Sequence, residues 1–419
     1  MSRFLVLDIV FYGNSMNYDQ GSGNYQELKK ITKWDGKQYT LASRYALRYS
    51  ILETARKTGL WEIADANSLH FAGEGENKVI QPSLKTLLSS SILEYPEFDL
   101  FGYLVTVTKP QNFRESPVKI SHAVSMTPYF YDALFNANIG LANRMRKKYG
   151  EMSPNPFTSE EHQTFYQYSV VVDVDRIGKV ESYLHSEVKS SNNNVIWKAE
   201  LEEKEDKYKV EVKWKEGKGR AGNEFKENIE ISKSAKIKIE ENEFELKTTL
   251  DVIGNGKKIY VLRQEIEPHD NFVKTRIEQL LKAILNLKRS IKGREEDLSP
   301  KLVVVGVYNK HPYKTFKDKI CLKDEYIEES YDEIIEEVEE NKKVEKVKHI
   351  ISKSKKPVFE ISGLNKGGNN KSGEDGETQI VSEINETEIL NFIEELFNND
   401  AKLGKVKVFK DPSIEVGGP

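Results

Sequence analysis

Residues 40–59, TLASRYALRYSILETARKTG, read as a single helix that sets the frame for the elements around it. At about 100° per residue, Leu47, Ile51, Leu52 and Ala55 share one arc, the face a helix turns toward a core. Tyr45, Tyr49, Glu53, Arg56 and Lys57 fall on the opposite, solvated side. Arg44 and Arg48 break the pattern, because they lie on the apolar arc at its N-terminal end. There the first turn offers unpaired N–H groups and the positive end of the helix dipole, with the Ser43 hydroxyl beside them. Such a helix start suits a phosphate or a carboxylate. The alternative, common for arginines at helix starts, is an ion pair with acids on a neighbouring element.

Working outward, residues 4–12 form an apolar run broken only by Asp8, as in a strand buried on both faces. A loop of small and polar residues follows, GNSMNYDQGSGNYQE (13–27). It could wrap a phosphodiester chain through backbone amides from Asn14 onward, but it lacks phosphate-loop spacing. Residues 100–107 can be a strand, and Lys109 and Arg114 flank the polar turn after it. Residues 118–126 alternate like a half-buried strand, and 128–150 look helical with a basic end. FYQYSVVVDV (165–174) is a strong strand, residues 181–270 alternate as a β-rich insertion with one Lys/Glu face, and 301–308 make another buried strand. Between the last two, 272–292 repeat apolar residues at three- and four-residue steps, a helix whose basic end includes Lys288 and Arg289.

These elements follow the β-α-β-β-α-β order of a ferredoxin-like unit, an α+β fold interrupted by long insertions. Both helices are then expected on one face of the sheet, leaving the other face and the insertions to form a groove. The aromatic motifs of an RNA-recognition sheet are missing, which leaves backbone contacts as the route to nucleic acid. Beyond the unit, residues 324–340 hold ten acids and no base, expected as an acidic helix flanked by the Lys-rich 342–356. Residues 363–378 read as a Gly-rich linker, and a short helix (386–397) and a Lys-rich strand close the chain.

Composition narrows the function classes. Charged residues make up 31% of 419, yet the net charge is only −4, so basic and acidic character is segregated. The lone Cys321 excludes a disulfide framework and a Cys-rich zinc site. With no signal-peptide pattern and no spanning apolar run, a soluble cytoplasmic protein is expected. Asp173 and Asp175 could share a divalent metal, but no third ligand accompanies them, and pairing with Arg176 is the plainer reading. No cofactor and no metal are expected.

SRYALRYSI (43–51), DLFGY (99–103), FRESPVKISHAVSMTPY (113–129), EEHQTFYQYSVVVDVDRIG (160–178) and KGREEDLSPKLVVVG (292–306) together resemble the DevR-type CRISPR-associated family. These are the repeated backbone subunits of type I-B Cascade complexes. The resemblance covers roughly 1–178 and 271–308. It implies a hand-like, RRM-like palm (1–58, 116–180 and 271–310), with a finger-like insertion at 59–115, the β-rich insertion at 181–270, and an elaboration at 311–419. It further implies polymerisation along a CRISPR guide RNA, pairing of target DNA through that guide, and no nuclease activity. The implied partners are other copies of the chain, a large subunit, a subunit capping the guide 5′ end and a guide-processing endonuclease, with no membrane. By motif, Ser43, Arg44 and Arg48 match palm-helix residues facing RNA, and Lys109, Arg114 and Ser116 match a basic turn. Asn14, Lys288 and Arg289 complete the expected RNA-binding set. A metal-dependent ribonuclease using Asp8, Asp173 or Asp175, and a transcriptional autoregulator, are the competing classes.

Overall fold

The computed structural model describes residues 2–19, 21–73, 76, 78–216, 223–254, 256–311, 315–340, 343–363, 378–398 and 404–417, with backbone only for 216, 327–354 and 378–381. It is a mixed α+β structure built on a nine-stranded sheet. The strands are β1 (Phe4–Asn14), β2 (Lys30–Thr32), β3 (Gln38–Ala42), β4 (Val118–Ile120), β5 (Ala123–Ser125), β6 (Gln163–Asp173), β7 (Leu302–Tyr308), β8 (Thr378–Glu383) and β9 (Lys405–Lys410). Their order is β8-β9-β7-β1-β6-β5-β3-β2, with β4 also pairing to β6. β1 is antiparallel to both neighbours, from Phe4 opposite Asp173 and Tyr308 to Val10 opposite Gln167 and Leu302. Being covered on both faces, it carries apolar residues almost throughout, and only Tyr12 is exposed.

Helices α1 (Arg44–Lys57) and α2 (His269–Leu285) lie on one face. Leu47, Ile51 and Ala55 of α1 join Val273, Ile277, Leu280 and Ile284 of α2 over Leu5, Leu7, Ile9 and Phe11 of β1. β3 feeds α1 directly, and Ser43 caps it by accepting the Ala46 N–H at 3.2 Å. The opposite face is not open. Val10, Leu302, Val304 and Val408 lie under Phe316, Ile320, Phe359, Ile361 and Ile414, so the C-terminal part of the chain lids the face expected to form a groove.

The insertions are joined. Two four-stranded sheets occupy 179–267, and the first packs on α2 through Phe244 against Phe272, ring centroids 5.3 Å apart. The second buries Trp197, Tyr208, Val212, Trp214 and Ile231 against Leu84, Leu87, Leu88, Val105 and Val107 of the 59–115 insertion. Its strands alternate buried apolar with exposed Lys and Glu, as the sequence indicates.

Several elements differ from the sequence reading. α2 ends at Leu285, and Lys288–Ile291 instead pairs with Arg294–Asp297 in a hairpin. Its two-residue turn, Lys292 (φ 46°) and Gly293 (φ 86°), has the positive-φ pair a tight hairpin needs, so Leu287 and Ile291 fit a helical spacing without being helical. The acidic run is a strand. Ile320–Glu340 pairs with Lys343–Ile361, setting Glu328 opposite Lys355 and Glu337 opposite Lys346. That register pairs residues far apart in the chain and is invisible to a helical count. Residues 100–107 shrink to the strand Tyr103–Val105, 118–126 split into β4 and β5, and 128–150 become a strand, Ala133–Asn136, before the helix Ile139–Tyr149. The expected Gly-rich linker lies almost wholly outside the described residues. Among the described residues, no helix is long and apolar enough to cross a membrane.

Candidate nucleic-acid interface

A cleft of about 420 Å³ opens where the start of α1 meets β4, lined by Arg44, Tyr45, Arg48, Phe101, Ser116 and Lys119 among others. Arg44 is exposed. Its backbone N–H donates to His122 Nδ1 at 2.9 Å, its guanidinium donates to the Tyr45 hydroxyl at 2.9 Å, and it lies 4.9 Å from that ring's centre. Arg48 is half-buried, 5.2 Å from the Phe101 ring, with one donor reaching the Glu97 carbonyl at 3.4 Å. Burial pulls its pKa down, partly countered by the Glu97 carboxylate, yet a guanidinium stays charged. Among the described residues neither arginine is in a direct ion pair, and of the acids on neighbouring elements Glu97 attracts Arg48 from further off. The aromatic rings orient the two cations without neutralising them.

The other expected residues divide. Ser43 is the α1 cap and does not line the cleft, whereas Ser116 lines it while its hydroxyl donates to the Leu100 and Val118 carbonyls. Lys288 and Arg289 line a second cleft of about 430 Å³ further along α1, with Tyr49, Glu53 and Lys57. Lys288 is exposed, 3.8 Å from Glu295. Arg289 donates to the carbonyls of Met16 (3.0 Å) and Ala46 (3.2 Å) and to Ser50 Oγ (3.0 Å), clamping the loop after β1 onto α1. Arg114 points inward. It pairs with the fully buried Asp99 at 2.7 Å and donates to the carbonyls of Asp99, Arg176 and Lys179. Lys109 belongs to a turn against the β-rich insertion, its carbonyl accepting the His185 N–H at 2.6 Å. Asn14 ends β1, its N–H donating to Glu296 at 3.3 Å and its carbonyl accepting from Arg294 at 3.0 Å.

Lys119 and Phe101 of the cleft escaped the sequence reading. The alternation of VKI turns Lys119 away from buried Val118 and was the available signal for it. Lys119 and Arg176 both bind Glu115 and hold its carboxyl down at about 2. Arg176 is thus occupied with Glu115, and the partner of Asp175 is Arg3, whose N–H and Nε donate to it at 2.7 and 2.8 Å. Asp8 sits inside the sheet, accepting from Ser169 Oγ and from the Phe316 N–H at 2.8 Å. Among the described residues no group of three His, Cys, Asp or Glu is arranged to hold a metal.

Burial raises the Asp8 pKa above its ordinary value, outweighing the hydrogen bonds from Ser169 and Phe316. Between the ordinary and the raised value, the folded protein holds a proton that the unfolded chain has released. This group therefore supports folding less as pH rises through that window, by about 1.4 kcal/mol for every pH unit the window spans. Asp8→Asn is expected to flatten that part of a melting-temperature profile and to leave the protein no less stable near neutral pH. A mutant that melts lower at neutral pH, with the acid-side slope intact, would contradict this account.

Residues 5–331 match the family described as CRISPR-associated negative auto-regulator DevR/Csa2. The chain belongs to this family. A Myxococcus xanthus (strain DK1622) relative, described as CRISPR-associated protein Cas7/Cst2/DevR, is 25% identical over 170 residues, 36% of this chain and 50% of the relative. The chain thus spans about half the length of the curated relative it matches. Among solved structures, it is similar to a chain of a CRISPR RNA-guided surveillance complex, at 12% identity and TM-score 0.35, covering 75% of this chain and 73% of that one. A second, from a pre-nicking CRISPR RNA-guided surveillance complex, gives 9% identity and TM-score 0.38, covering 75% and 81%.

Proposed function

We propose that this DevR/Csa2-family chain is the guide-RNA-binding backbone subunit of a type I-B Cascade complex, working in the cytoplasm without nuclease chemistry of its own. The observation that carries the reading is the cleft at the start of α1, where two guanidiniums lean on aromatic rings, neither in a direct ion pair among the described residues and Arg48 only partly offset by the Glu97 carboxylate. Backbone phosphates suit these two cations whatever base they carry, with the helix start itself already capped by Ser43 and His122. The strand order β7-β1-β6 followed by β4 and β5, with α1 and α2 on one face, supports an RRM-like, ferredoxin-like palm. The two joined insertions serve as fingers.

Polymerisation has a candidate surface. Residues 128–157 leave the palm between β5 and β6 and expose Phe130, Tyr131, Leu134, Phe135, Ile139 and Tyr149. So many exposed apolar side chains along one segment would suit a thumb laid on the next copy. Contacts of this heterologous kind propagate along a guide, with the other Cascade subunits at the ends and flank.

Purification from cells holding a CRISPR array, followed by extraction and sequencing of bound RNA, tests the reading. Repeat-derived guide RNA and an RNA-dependent rise in mass by light scattering are expected. A strict monomer with and without RNA, carrying no nucleic acid, would defeat it.

A further inference from the structure

Of the four tryptophans, Trp61, Trp197 and Trp214 are buried, whereas Trp34 is 98% exposed. It is not at a loose end. β2 and β3 form a hairpin whose turn is closed by Lys33 N–H to the Lys37 carbonyl at 3.1 Å and Gly36 N–H to the Lys33 carbonyl at 3.0 Å. The Asp35 carboxylate braces it further, accepting the Lys37 N–H at 3.0 Å and the Tyr39 hydroxyl at 2.8 Å. Lys33 lies over the Tyr39 ring at 4.0 Å. A bare indole on a braced turn is a preorganised apolar plate, with none of the described residues covering it.

Its surroundings are basic. Lys33 and Lys37 flank it, and Lys317 lies close enough to disfavour charge on both Lys33 and His122, the residue that accepts the Arg44 N–H. The nearby acids are Asp35, engaged in the turn, and Asp318. The hairpin is also continuous with the phosphate cleft, because β3 runs from Gln38 to Ala42 straight into Ser43 and Arg44. At about 3.4 Å per residue, the seven steps from Lys37 to Arg44 span about 24 Å, so the turn that carries Trp34 lies several nucleotides along an extended chain from the cleft.

We infer that Trp34 stacks on an unpaired base of the RNA whose backbone occupies the Arg44/Arg48 cleft, with Lys33 and Lys37 on the adjoining phosphates. This rests on the proposed RNA-binding role. Stacking tolerates any base, which suits a subunit that repeats along guides of every sequence.

Trp34 is also its own reporter, since the other three indoles are shielded. On the full chain, acrylamide quenching is measured with oligouridine RNA, and affinity is compared for oligouridine and an abasic ribose-phosphate strand. RNA should quench Trp34 emission and protect it from acrylamide. Trp34→Ala should weaken oligouridine binding roughly five- to hundredfold with an unchanged salt slope, Trp34→Phe should retain most of the affinity, and the abasic strand should bind wild type and Trp34→Ala alike. RNA binding by wild type that leaves Trp34 fully quenchable and Trp34→Ala undiminished would overturn the stacking role while the backbone reading stands. Failure of wild type to bind RNA would remove both. Protection that appears with rising protein concentration in the absence of RNA would assign Trp34 to a second copy of the chain and overturn the inference.

Discussion

Replacing Arg44 and Arg48 together with alanine is expected to weaken single-stranded RNA binding by roughly two to four orders of magnitude at moderate salt. Two charge-assisted contacts to phosphate oxygens disappear, each contributing about 1.5–3 kcal/mol. For single strands, each lost phosphate contact makes the salt slope shallower by about 0.7, so about 1.4 in all per subunit. The loss should be similar for guides of unrelated sequence, because contacts to phosphate carry no base information. Arg44→Lys should recover part of the affinity by keeping a point charge. Arg48→Lys should recover less, since the planar guanidinium over Phe101 is what holds that cation in place. Neither arginine is in a direct ion pair among the described residues, so circular dichroism should show the double mutant folded, with only the weaker Arg48–Glu97 attraction lost from the melting temperature. A folded double mutant with unaltered affinity and salt slope would remove α1 from the RNA.

Arg114→Ala is expected to act in the opposite way, unfolding the protein more readily and leaving RNA contacts alone. Asp99 is fully buried, and its Oδ1 also accepts the Gly178 N–H at 3.0 Å. Arg114 therefore ties together the segments around 99–101, 112–116 and 176–179. Removing it strands a buried carboxylate and several carbonyls, at about 3–5 kcal/mol. The urea midpoint should fall accordingly, while the salt slope of RNA binding by the folded fraction stays as in wild type. Asp99→Leu combined with Arg114→Met should recover much of the loss, because it removes both charges together. A well-folded Arg114→Ala protein with a shallower salt slope would instead return Arg114 to the RNA, as the family resemblance implies.

The contrast between these arginines marks how far the sequence can be read. Residues whose roles follow from short-range periodicity were legible: β1, β6 and β7 as apolar runs, α1 by its 3.6-residue arc, and the 181–270 strands by alternation. Arg44 and Arg48 were conspicuous because they violate a local pattern. What failed depended on distant partners. Arg114 lies in a basic turn and looks like a ligand, and nothing nearby in sequence announces that Asp99 is buried beneath it. The acidic run at 320–340 carries acid pairs at helical steps, and only its register with 343–361 makes it a strand. Trp34 was overlooked for a different reason, since periodicity says nothing of a side chain that belongs to no packed face.

The shared core of the two insertions has an evolutionary consequence. Leu84, Leu87 and Val105 lie far along the chain from Trp197 and Trp214, yet they close over the same apolar space. A deletion in 59–115 alone would expose Trp197 and Trp214 to water, and one in 181–270 alone would expose Leu84, Leu87 and Val105, so the two segments are constrained together. A change to the outer edge of this molecule therefore calls for matching changes in two separate stretches of gene.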